Sequence, residues 1–415
     1  MSTQEEIQTE EVRVLRELAS EVAEIAALPV NSEKRELWRR LNNLEDVRPL
    51  VYSRFMPEVW EEFLPDDQLL TLESRKARDY ERALRRKIWA IPHLKDDRII
   101  DPIVHYRQVF HWSGGIRPEL TRPDESRGAW KPKPVIIEKS DIEKITPYEI
   151  SLNETATTAA REEAEHIFGD ILTVLPERVN VHGNNLGDTA CNLRGIEEFF
   201  MDMVLDPEWC HAFIGQLAEI QAGKNRRLEE LGVLRPKTDE ESVSNNGIGP
   251  IDQMPTVGAG KPLELGHIWG GCMAQIFEAV SLDMHEEFIF QYERPLLDPY
   301  GLTSLSCCER IDTKWESVVK TPHLRWISVS EWNDLRRTSE LLGRSYVHSF
   351  KPTGLHQGAA TWHPSCEEAY LRDAVSQCSA NVTCLINYIG GALHGQAQRV
   401  IDWTDIAMRV VREYE

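Results

Sequence analysis

Residues 345–391 read "SYVHSFKPTGLHQGAATWHPSCEEAYLRDAVSQCSANVTCLINYIGG". A short run of β-branched and aromatic residues, 345–352, is followed by a helical pattern over 368–379 and then by a second such run, 382–391. A strand, a helix and a strand in this order form the unit from which parallel sheets are built. The stretch therefore predicts two parallel strands joined by a helix.

The same alternation extends on the amino-terminal side of this unit. Short β-branched or aromatic runs, separated by helical patterns, occupy residues 98–106, 179–185, 241–247, 269–277, 302–308, 324–332, 345–352 and 382–391. Eight such runs predict an α/β fold, a (β/α)8 TIM barrel. An open, doubly wound sheet is the alternative. It is disfavoured because the glycine-containing stretches 114–122 and 258–266 lack the spacing of a dinucleotide-binding fingerprint.

The chain divides into two predicted parts. Residues 1–100 carry amphipathic helical patterns and predict an N-terminal helical extension that packs on the barrel. Residues 101–415 are the predicted barrel and catalytic domain. Within them, residues 113–150 are rich in proline, glycine and charge and predict an insertion, with a capping box at Ser140 and Glu143 that starts a new helix. Insertions after barrel strands often form lids over the site.

Composition excludes several kinds of partner. The chain has 415 residues, 41% of them hydrophobic, with a net charge of −21. An acidic surface repels nucleic acid and anionic membranes. The acidic amino terminus is unlike a signal peptide, and no apolar run is long enough to span a membrane. Eight scattered cysteines suit a reduced environment, so we expect a cytoplasmic protein.

The run 302–308, "LTSLSCC", ends in two adjacent cysteines and raises the question of a metal site. In a strand, alternate side chains point to opposite faces. Leu305 and Cys307 then share one face, which suits packing against helices. Ser306 and Cys308 share the other face, which suits a polar barrel interior. The pattern therefore favours Cys308 as the functional cysteine.

Two further residues lie at the ends of neighbouring runs. Glu278 follows the run 269–277, and His348 lies in the run 345–352, so that Glu278, Cys308 and His348 are 30 and 40 positions apart. Each interval is about one strand–helix unit, and in barrels the carboxyl ends of the strands meet at one mouth. Zinc accepts carboxylate, thiolate and imidazole ligands, and three protein ligands with one open position are typical of catalytic zinc. These three residues are the predicted metal ligands and catalytic residues.

The chain also resembles a known superfamily at these residues. The segment 274–354, which contains "SCCERID", "ISVSEW" and "YVHSFKP", is similar to the uroporphyrinogen decarboxylase superfamily. The likeness is to the branch of zinc-dependent corrinoid-protein methyltransferases and extends over most of residues 33–410. It implies a TIM barrel whose zinc ligands are an acidic residue and two cysteines, with Cys308 as the middle ligand and His348 in the place of the second cysteine, the third ligand. Glu278 lies two positions from the expected acidic ligand, and Ser306 stands where methanol-type and methylamine-type enzymes have histidine.

The resemblance implies an activity, a cofactor and a partner. The implied reaction is zinc-dependent transfer of a methyl group from a small donor, with an aryl methyl ether expected, to Co(I) of a corrinoid on a separate protein. For such a donor, the residues near the ends of the predicted strands supply candidate substrate-binding side chains, polar ones to hydrogen-bond it and aromatic ones to enclose it: His182, Asn184, Asn246, Phe277, Trp332 and Phe350. A homodimer is left open.

Two rival functions remain at this point. The first is a metal-free decarboxylase or lyase of the uroporphyrinogen decarboxylase type, which predicts a pocket lined with arginine and lysine. The arginine-rich "RQAGR" stretch that such decarboxylases carry near the amino terminus is absent here. The second is a non-catalytic protein that binds a corrinoid or tetrapyrrole.

Overall fold

The computed structural model describes residues 7–121, 131–258, 261–273, 275–305, 307–389, 393 and 395–415. The strands in these residues are β1 Leu50–Phe55, β2 Ile103–Tyr106, β3 Phe110–Gly115, β4 Glu119–Thr121, β5 Lys131–Lys133, β6 Thr146–Leu152, β7 Thr173–Pro176, β8 Trp269–Cys272, β9 Leu302–Leu305, β10 Leu324–Ser330, β11 Val347–Lys351 and β12 Val382–Ile389.

The helices lie between the strands and at both ends of the chain. They are α1 Thr9–Ala26, α2 Pro29–Asn42, α3 Pro57–Phe63, α4 Asp66–Leu69, α5 Arg75–His93, α6 Glu154–Phe168, α7 Leu186–Arg194, α8 Ile196–Leu205, α9 Pro207–Glu230, α10 Leu282–His285, α11 Gln291–Leu297, α12 Trp315–Val318, α13 Leu335–Leu342, α14 Leu355–Gly358, α15 Pro364–Cys378 and α16 Gln398–Val411. None of the helices in the described part of the chain has the length and apolar character that crossing a bilayer requires.

The central feature is a sheet in which six strands follow the order β1-β12-β11-β10-β9-β8, with every pair parallel. Strands β8 to β12 are neighbours in chain order, and the first strand, β1, pairs with the last, β12. Parallel strands require a crossover between neighbours, which the intervening helices supply. All six strands therefore end along the same border of the sheet, which we call the carboxyl-end edge.

Hydrogen bonds continue beyond both edges of this sheet. At the β1 edge, the amides of Val51 and Ser53 donate to the carboxylates of Asp97 and Asp96, each at 2.8 Å. At the β8 edge, the Gly271 amide donates to the His182 carbonyl at 2.9 Å. Strands β2 and β7 form a separate parallel pair. The predicted α/β fold with a parallel sheet is confirmed, and a closed eight-stranded barrel stays a prediction.

Six of the eight predicted runs contain strands of these two sheets, and two do not. Residues 179–185 contribute one isolated bridge, at Gly183, and residues 241–247 form a tight turn in which the Val243 amide donates to the Gly247 carbonyl at 2.8 Å. Asparagine and glycine favour such turns because they tolerate turn backbone angles. The structure instead contains β7, which was not predicted, and β1, which lies in the region predicted to be helical.

The remaining predictions for the chain's organisation have mixed outcomes. The insertion at 113–150 contains the antiparallel pair β4 and β5 and parts of a second antiparallel pair, β3 and β6. The predicted new helix there is a short 3-10 turn, Lys139–Lys144, whose capping box uses Glu138 and Asp141 in place of Ser140 and Glu143. Helices α1 and α5 pack against α6 through buried apolar side chains, among them Leu15, Leu84 and Phe168. The division of the chain at residue 100 stays a prediction.

The central sheet has two distinguishable faces. On one face of the sheet, alternate side chains pack with Trp38 and Trp326 in one apolar cluster; we call it the inner face. On the opposite face, the remaining side chains pack with Ile327, Leu385 and Trp403 in a second cluster against the helices; we call it the helix side. Which of the two faces a polar side chain occupies decides whether it can reach a site at the carboxyl-end edge.

Candidate active site

A pinned turn follows the carboxyl end of β9. The amides of Cys307 and Cys308 both donate to one carboxylate oxygen of Glu309, at 2.7 and 2.9 Å. The Ser330 hydroxyl, at the end of β10, donates to the Cys308 carbonyl at 2.8 Å. The Asn333 side chain accepts from the Ile311 amide at 2.8 Å. Main-chain contacts therefore fix the positions of both cysteines, and we call residues 307–309 the dithiol turn.

The Cys307 thiol has polar neighbours. Its Sγ lies 3.3 Å from Asn245 Nδ2, 3.4 Å from Lys351 Nζ and 3.6 Å from Cys308 Sγ. A hydrogen bond from Cys308 and the positive charge of Lys351 lower the pKa of Cys307 to about 6, against the opposing effect of burial. The same hydrogen bond and burial raise the pKa of Cys308. The shared hydrogen bond and the charge of Lys351 therefore favour the thiolate form of Cys307 over that of Cys308.

This placement reverses the roles that alternation predicted for the two cysteines. Leu305 does face the helix side, as predicted. The strand ends at Leu305, however, so the period of two no longer applies to Cys307, which turns towards Asn245 and Lys351. Cys308 is partly exposed beside it. Ser306 lies outside the described residues.

His348 does not face the dithiol turn. It lies in register with Ile327 on one neighbouring strand and Thr383 on the other, and Ile327 belongs to the helix-side cluster. The Thr383 hydroxyl donates to the Cys378 carbonyl of α15, which confirms that this row faces the helices. Burial lowers the pKa of His348 to about 3. His348 therefore faces the helix side, and its predicted role as a metal ligand beside Cys308 stays a prediction.

Glu278 lies near the turn but is exposed and accepts a hydrogen bond from the Arg310 amide. The predicted trio of Glu278, Cys308 and His348 is thus not brought together. Within the described ranges, no group of three or more histidine, cysteine, aspartate or glutamate side chains is placed to hold a metal ion.

The dithiol turn itself supplies two sulfur donors for zinc. Two sulfurs bound to one tetrahedral zinc are about 3.8 Å apart, close to the 3.6 Å between Cys307 and Cys308. A third donor is missing from the described residues, and the Lys351 ammonium lies against one of the thiols. These residues therefore do not form a three-ligand site, and zinc stays a prediction.

The polar residues predicted to bind substrate have different positions. His182 lies between Ser304 and the main chain of Trp269, at 3.4 and 3.1 Å. Burial, with nearby Lys237, lowers the pKa of His182 to about 3, so the ring is neutral. Asn184 is buried, and its side chain bonds Asn225 at 2.9 Å, which is a packing role. His182 is thus the better placed of these two for contact with a ligand.

Asn246 is also buried, and neither polar atom of its side chain has a hydrogen-bond partner among the described residues. A buried amide without partners carries a desolvation penalty, which a bound water or ligand removes. Asn246 therefore stays a predicted ligand-binding residue.

The three predicted aromatic residues do not form an enclosure. Phe277 is fully buried in a cluster with Phe199 and Phe200. Phe350 lies in the helix-side cluster, on the same face as His348. Trp332 is 63% exposed just after β10. Two of the three therefore pack in the protein interior, and Trp332 alone reaches the surface at the carboxyl-end edge.

A histidine–carboxylate pair was missed by the sequence reasoning. His356, in α14 just after β11, bonds through Nδ1 to Glu367 at 2.6 Å. The carboxylate is buried and also accepts from Trp403 Nε1 at 2.8 Å. A carboxylate at Nδ1 fixes the ring and its tautomer, leaving Nε2 for solvent or ligand. In the sequence, the one signal near His356 is the motif "KPTG" at residues 351–354, which belongs to the segment that carries the family resemblance.

Gly271 permits a close approach at the inner face. A Cβ there would lie 2.6 Å from Ser304 Oγ and 2.7 Å from His182 Nε2. We expect Gly271→Ala to displace His182 and to lower the free energy of unfolding by about 1–3 kcal/mol, measured by urea denaturation. Gly223→Ala in α9, where a Cβ meets nothing within 4 Å, is the matched control and should not be destabilised. Equal stability of the two variants would contradict the close packing.

Comparison with known proteins adds little to this geometry. No family model matches the chain, and no curated protein matches it. Among solved structures, the chain is similar to a methyltransferase from Methanosarcina mazei over 92% of this chain and 98% of that one, with 10% identity and a TM-score of 0.47. A similarity this weak supports neither an activity nor a substrate, so function is argued from the site.

Proposed function

We propose that this chain is a methyltransferase that moves a methyl group from a small donor, at the dithiol turn, to Co(I) of a corrinoid on a separate protein. One observation carries the proposal. Three motifs on which the sequence resemblance rests, "CCE", "SVSEW" and "KP", meet at this turn through Glu309, Ser330 and Lys351. Residues far apart in the chain thus converge at the carboxyl-end edge, where the sites of such α/β folds lie.

The proposed donor is an aryl methyl ether, as the resemblance implies. Its leaving group is a basic phenolate, which needs a proton or a positive charge as the methyl–oxygen bond breaks. The Lys351 ammonium, which lies beside Cys307, is suited to give the proton to that oxygen. Zinc is proposed on the resemblance alone, because the described donors fall short of three.

The proposed corrinoid partner needs a docking surface next to the turn. Trp332 and Leu355 follow β10 and β11 and are 63% and 69% exposed. Tryptophan is enriched in protein–protein interfaces relative to the rest of the surface. These two side chains are the proposed contact with the corrinoid protein, since in-line transfer requires the cobalt close to the methyl carbon.

A decarboxylase is the second candidate, and one observation favours it. Arg178, Arg235 and Lys237 line a cavity that also contains His182, and a pocket lined with such residues is what this rival predicts. The two candidates differ in the bond that breaks: the methyl–oxygen bond in methyl transfer, with the methyl group passing to cobalt, and the carbon–carboxylate bond in decarboxylation, with release of carbon dioxide.

The test is a turnover assay with the purified full chain, with and without added zinc. A panel of methoxyarenes that includes 4-methoxybenzoate is supplied with free cob(I)alamin, and methylcobalamin is followed by its colour change. We expect methylcobalamin and the matching phenol. Release of carbon dioxide without methyl transfer would establish the decarboxylase, and no product from any donor would remove the methyltransferase proposal.

A further inference from the structure

A small cavity lies beside the dithiol turn, on the helix side of the sheet. Its wall includes Cys272 at the end of β8, Leu305 at the end of β9 and Glu309, which holds the turn through the amides of both cysteines. Two buried polar side chains from the helices also line it, His285 of α10 and Glu293 of α11. The cavity volume is about 10 Å³, which is close to the space that one water molecule needs.

One ring nitrogen of His285 is bound, and the other has no partner. Nδ1 lies 3.1 Å from Lys314 Nζ, and an ammonium can only donate, so Nδ1 accepts and the ring proton is on Nε2. Burial and the charge of Lys314 lower the pKa of His285 to about 2, so the ring is neutral. Stacking on Phe290, with 4.0 Å between ring centroids, holds the ring in place. Nε2 is therefore a fixed, buried donor that bonds no other described residue.

The Glu293 carboxyl is also half satisfied. Oε1 accepts from the Leu186 amide at 2.8 Å, whereas Oε2 is buried without a hydrogen-bond partner among the described residues. The thiol of Cys272, a weak donor, lies beside this carboxyl. Burial raises the pKa of Glu293 to about 8, so the acid form predominates at neutral pH, and its proton is on Oε2 because Oε1 accepts from Leu186. Two unpaired polar groups at one cavity carry a desolvation penalty that a shared partner removes.

We propose that this cavity binds one water molecule, which His285 Nε2 and Glu293 Oε2 hold from the helices and the Glu309 carboxylate holds from the dithiol turn. The first two groups donate to the water oxygen, and the water donates to Glu309, whose two carboxylate oxygens can accept several hydrogen bonds. Three partners are the usual number for a buried water. A metal cation does not suit the site, because Lys314 lies against it and the imidazole presents a donor.

The bound water joins α10 and α11 to the turn that carries both cysteines. Glu309 is the link, because its carboxylate lines the cavity and accepts from the amides of Cys307 and Cys308. The water thus contributes to the position of the thiols without touching them. This inference concerns how the dithiol turn is held, and it does not depend on which reaction the site carries out.

The test is a crystal structure of the full chain at a resolution that shows ordered water. We expect one water within hydrogen-bond distance of His285 Nε2, Glu293 Oε2 and a carboxylate oxygen of Glu309. His285→Phe keeps a ring to stack on Phe290 but removes the donor, so its structure should lack the water. Glu293→Gln keeps an acceptor for the Leu186 amide and a donor towards the cavity, so its structure should retain the water.

Unfolding in urea supplies a second readout. If one water joins the two side chains, His285→Phe and Glu293→Met together should lower the midpoint by less than the sum of their separate shifts, because the second change breaks a bridge that is already lost. His93→Phe is the matched control. His93 also stacks on an aromatic ring, at 4.4 Å from Trp89, and its Nδ1 is bonded, but it lies on α5. Its shift should add to that of Glu293→Met.

Three results would overturn the inference. They are a cavity without water density in the unaltered chain, a metal ion identified there by its anomalous signal, and a water that stays in place in His285→Phe. Additive shifts for the His285→Phe and Glu293→Met pair would contradict the shared water as well. If a variant fails to fold, the structure of the unaltered chain decides alone.

Discussion

Replacement of Cys307 by alanine is expected to reduce kcat/KM for methyl transfer by about 10²-fold, because it removes the thiolate that holds the Lys351 ammonium, the proposed proton donor to the leaving oxygen, in place. The fold should persist, since Glu309 holds the turn through main-chain amides that alanine retains. The measurement is the methylcobalamin assay on the purified variant, with thermal unfolding to verify folding. Cys366→Ala, an exposed cysteine on α15, is the control and should retain activity.

The ionisation of Cys307 gives this prediction an independent readout. Its pKa of about 6 lies below that of an ordinary thiol, so the thiolate is present above pH 6 and is lost as the pH falls through that value. Alkylation of Cys307 by iodoacetamide, followed by mass spectrometry, should therefore have its midpoint near pH 6. Cys308→Ala and Lys351→Met should each move that midpoint upwards, because each removes a cause of the lowered pKa. A midpoint near 9 in the unmodified protein would contradict the assignment.

Asp96→Asn is expected to lower the free energy of unfolding by about 3–5 kcal/mol, because it leaves a buried guanidinium without its counter-charge. The Asp96 carboxylate accepts from Arg98 Nε and Nη2 at 2.7 and 2.8 Å and from the Ser53 amide at 2.8 Å. Asp96 and Arg98 are both buried. The asparagine side chain keeps the size of aspartate but has no negative charge. Urea denaturation, monitored by circular dichroism and tryptophan fluorescence, measures the loss.

Asp170→Asn is the matched control for this change. Asp170 pairs with Arg16 at 2.7 Å, but Asp170 is largely exposed and Arg16 partly exposed, and surface pairs of this kind contribute less than about 1 kcal/mol. Asp96→Asn combined with Arg98→Met should recover part of the stability, because the uncompensated charge is then removed. If Asp96→Asn and Asp170→Asn were equally stable, Asp96 would have no special role at the edge of β1.

The sequence predicted the strands that are buried on both faces and missed those with weaker signals. Strands β9 to β12 have continuous β-branched and apolar character, which predicts parallel strands with helices between them. Strand β1, "LVYSRF", is short and lies between amphipathic helices, so the helical periodicity on either side concealed it. The turn 241–247 has valine and serine like a strand, but its two asparagines and glycine form a turn.

The site was predicted less well, for a geometric reason. Alternation correctly places His348 and Phe350 on one face, but it does not determine whether that face is the inner face or the helix side. For Cys307, alternation failed because the strand had already ended. The cavity that brings Arg178 and Lys237 beside His182 was not predicted, because these residues are distant from one another in the sequence and meet only in the tertiary fold.

The loop 242–245 has a consequence for how a change in one polar region reaches another. Its main-chain carbonyls accept from Lys237 and Arg54, and its Asn245 side chain contacts Cys307 Sγ at 3.3 Å. A substitution that shifts this loop therefore displaces a neighbour of the thiol and the partners of two partly buried cations at once.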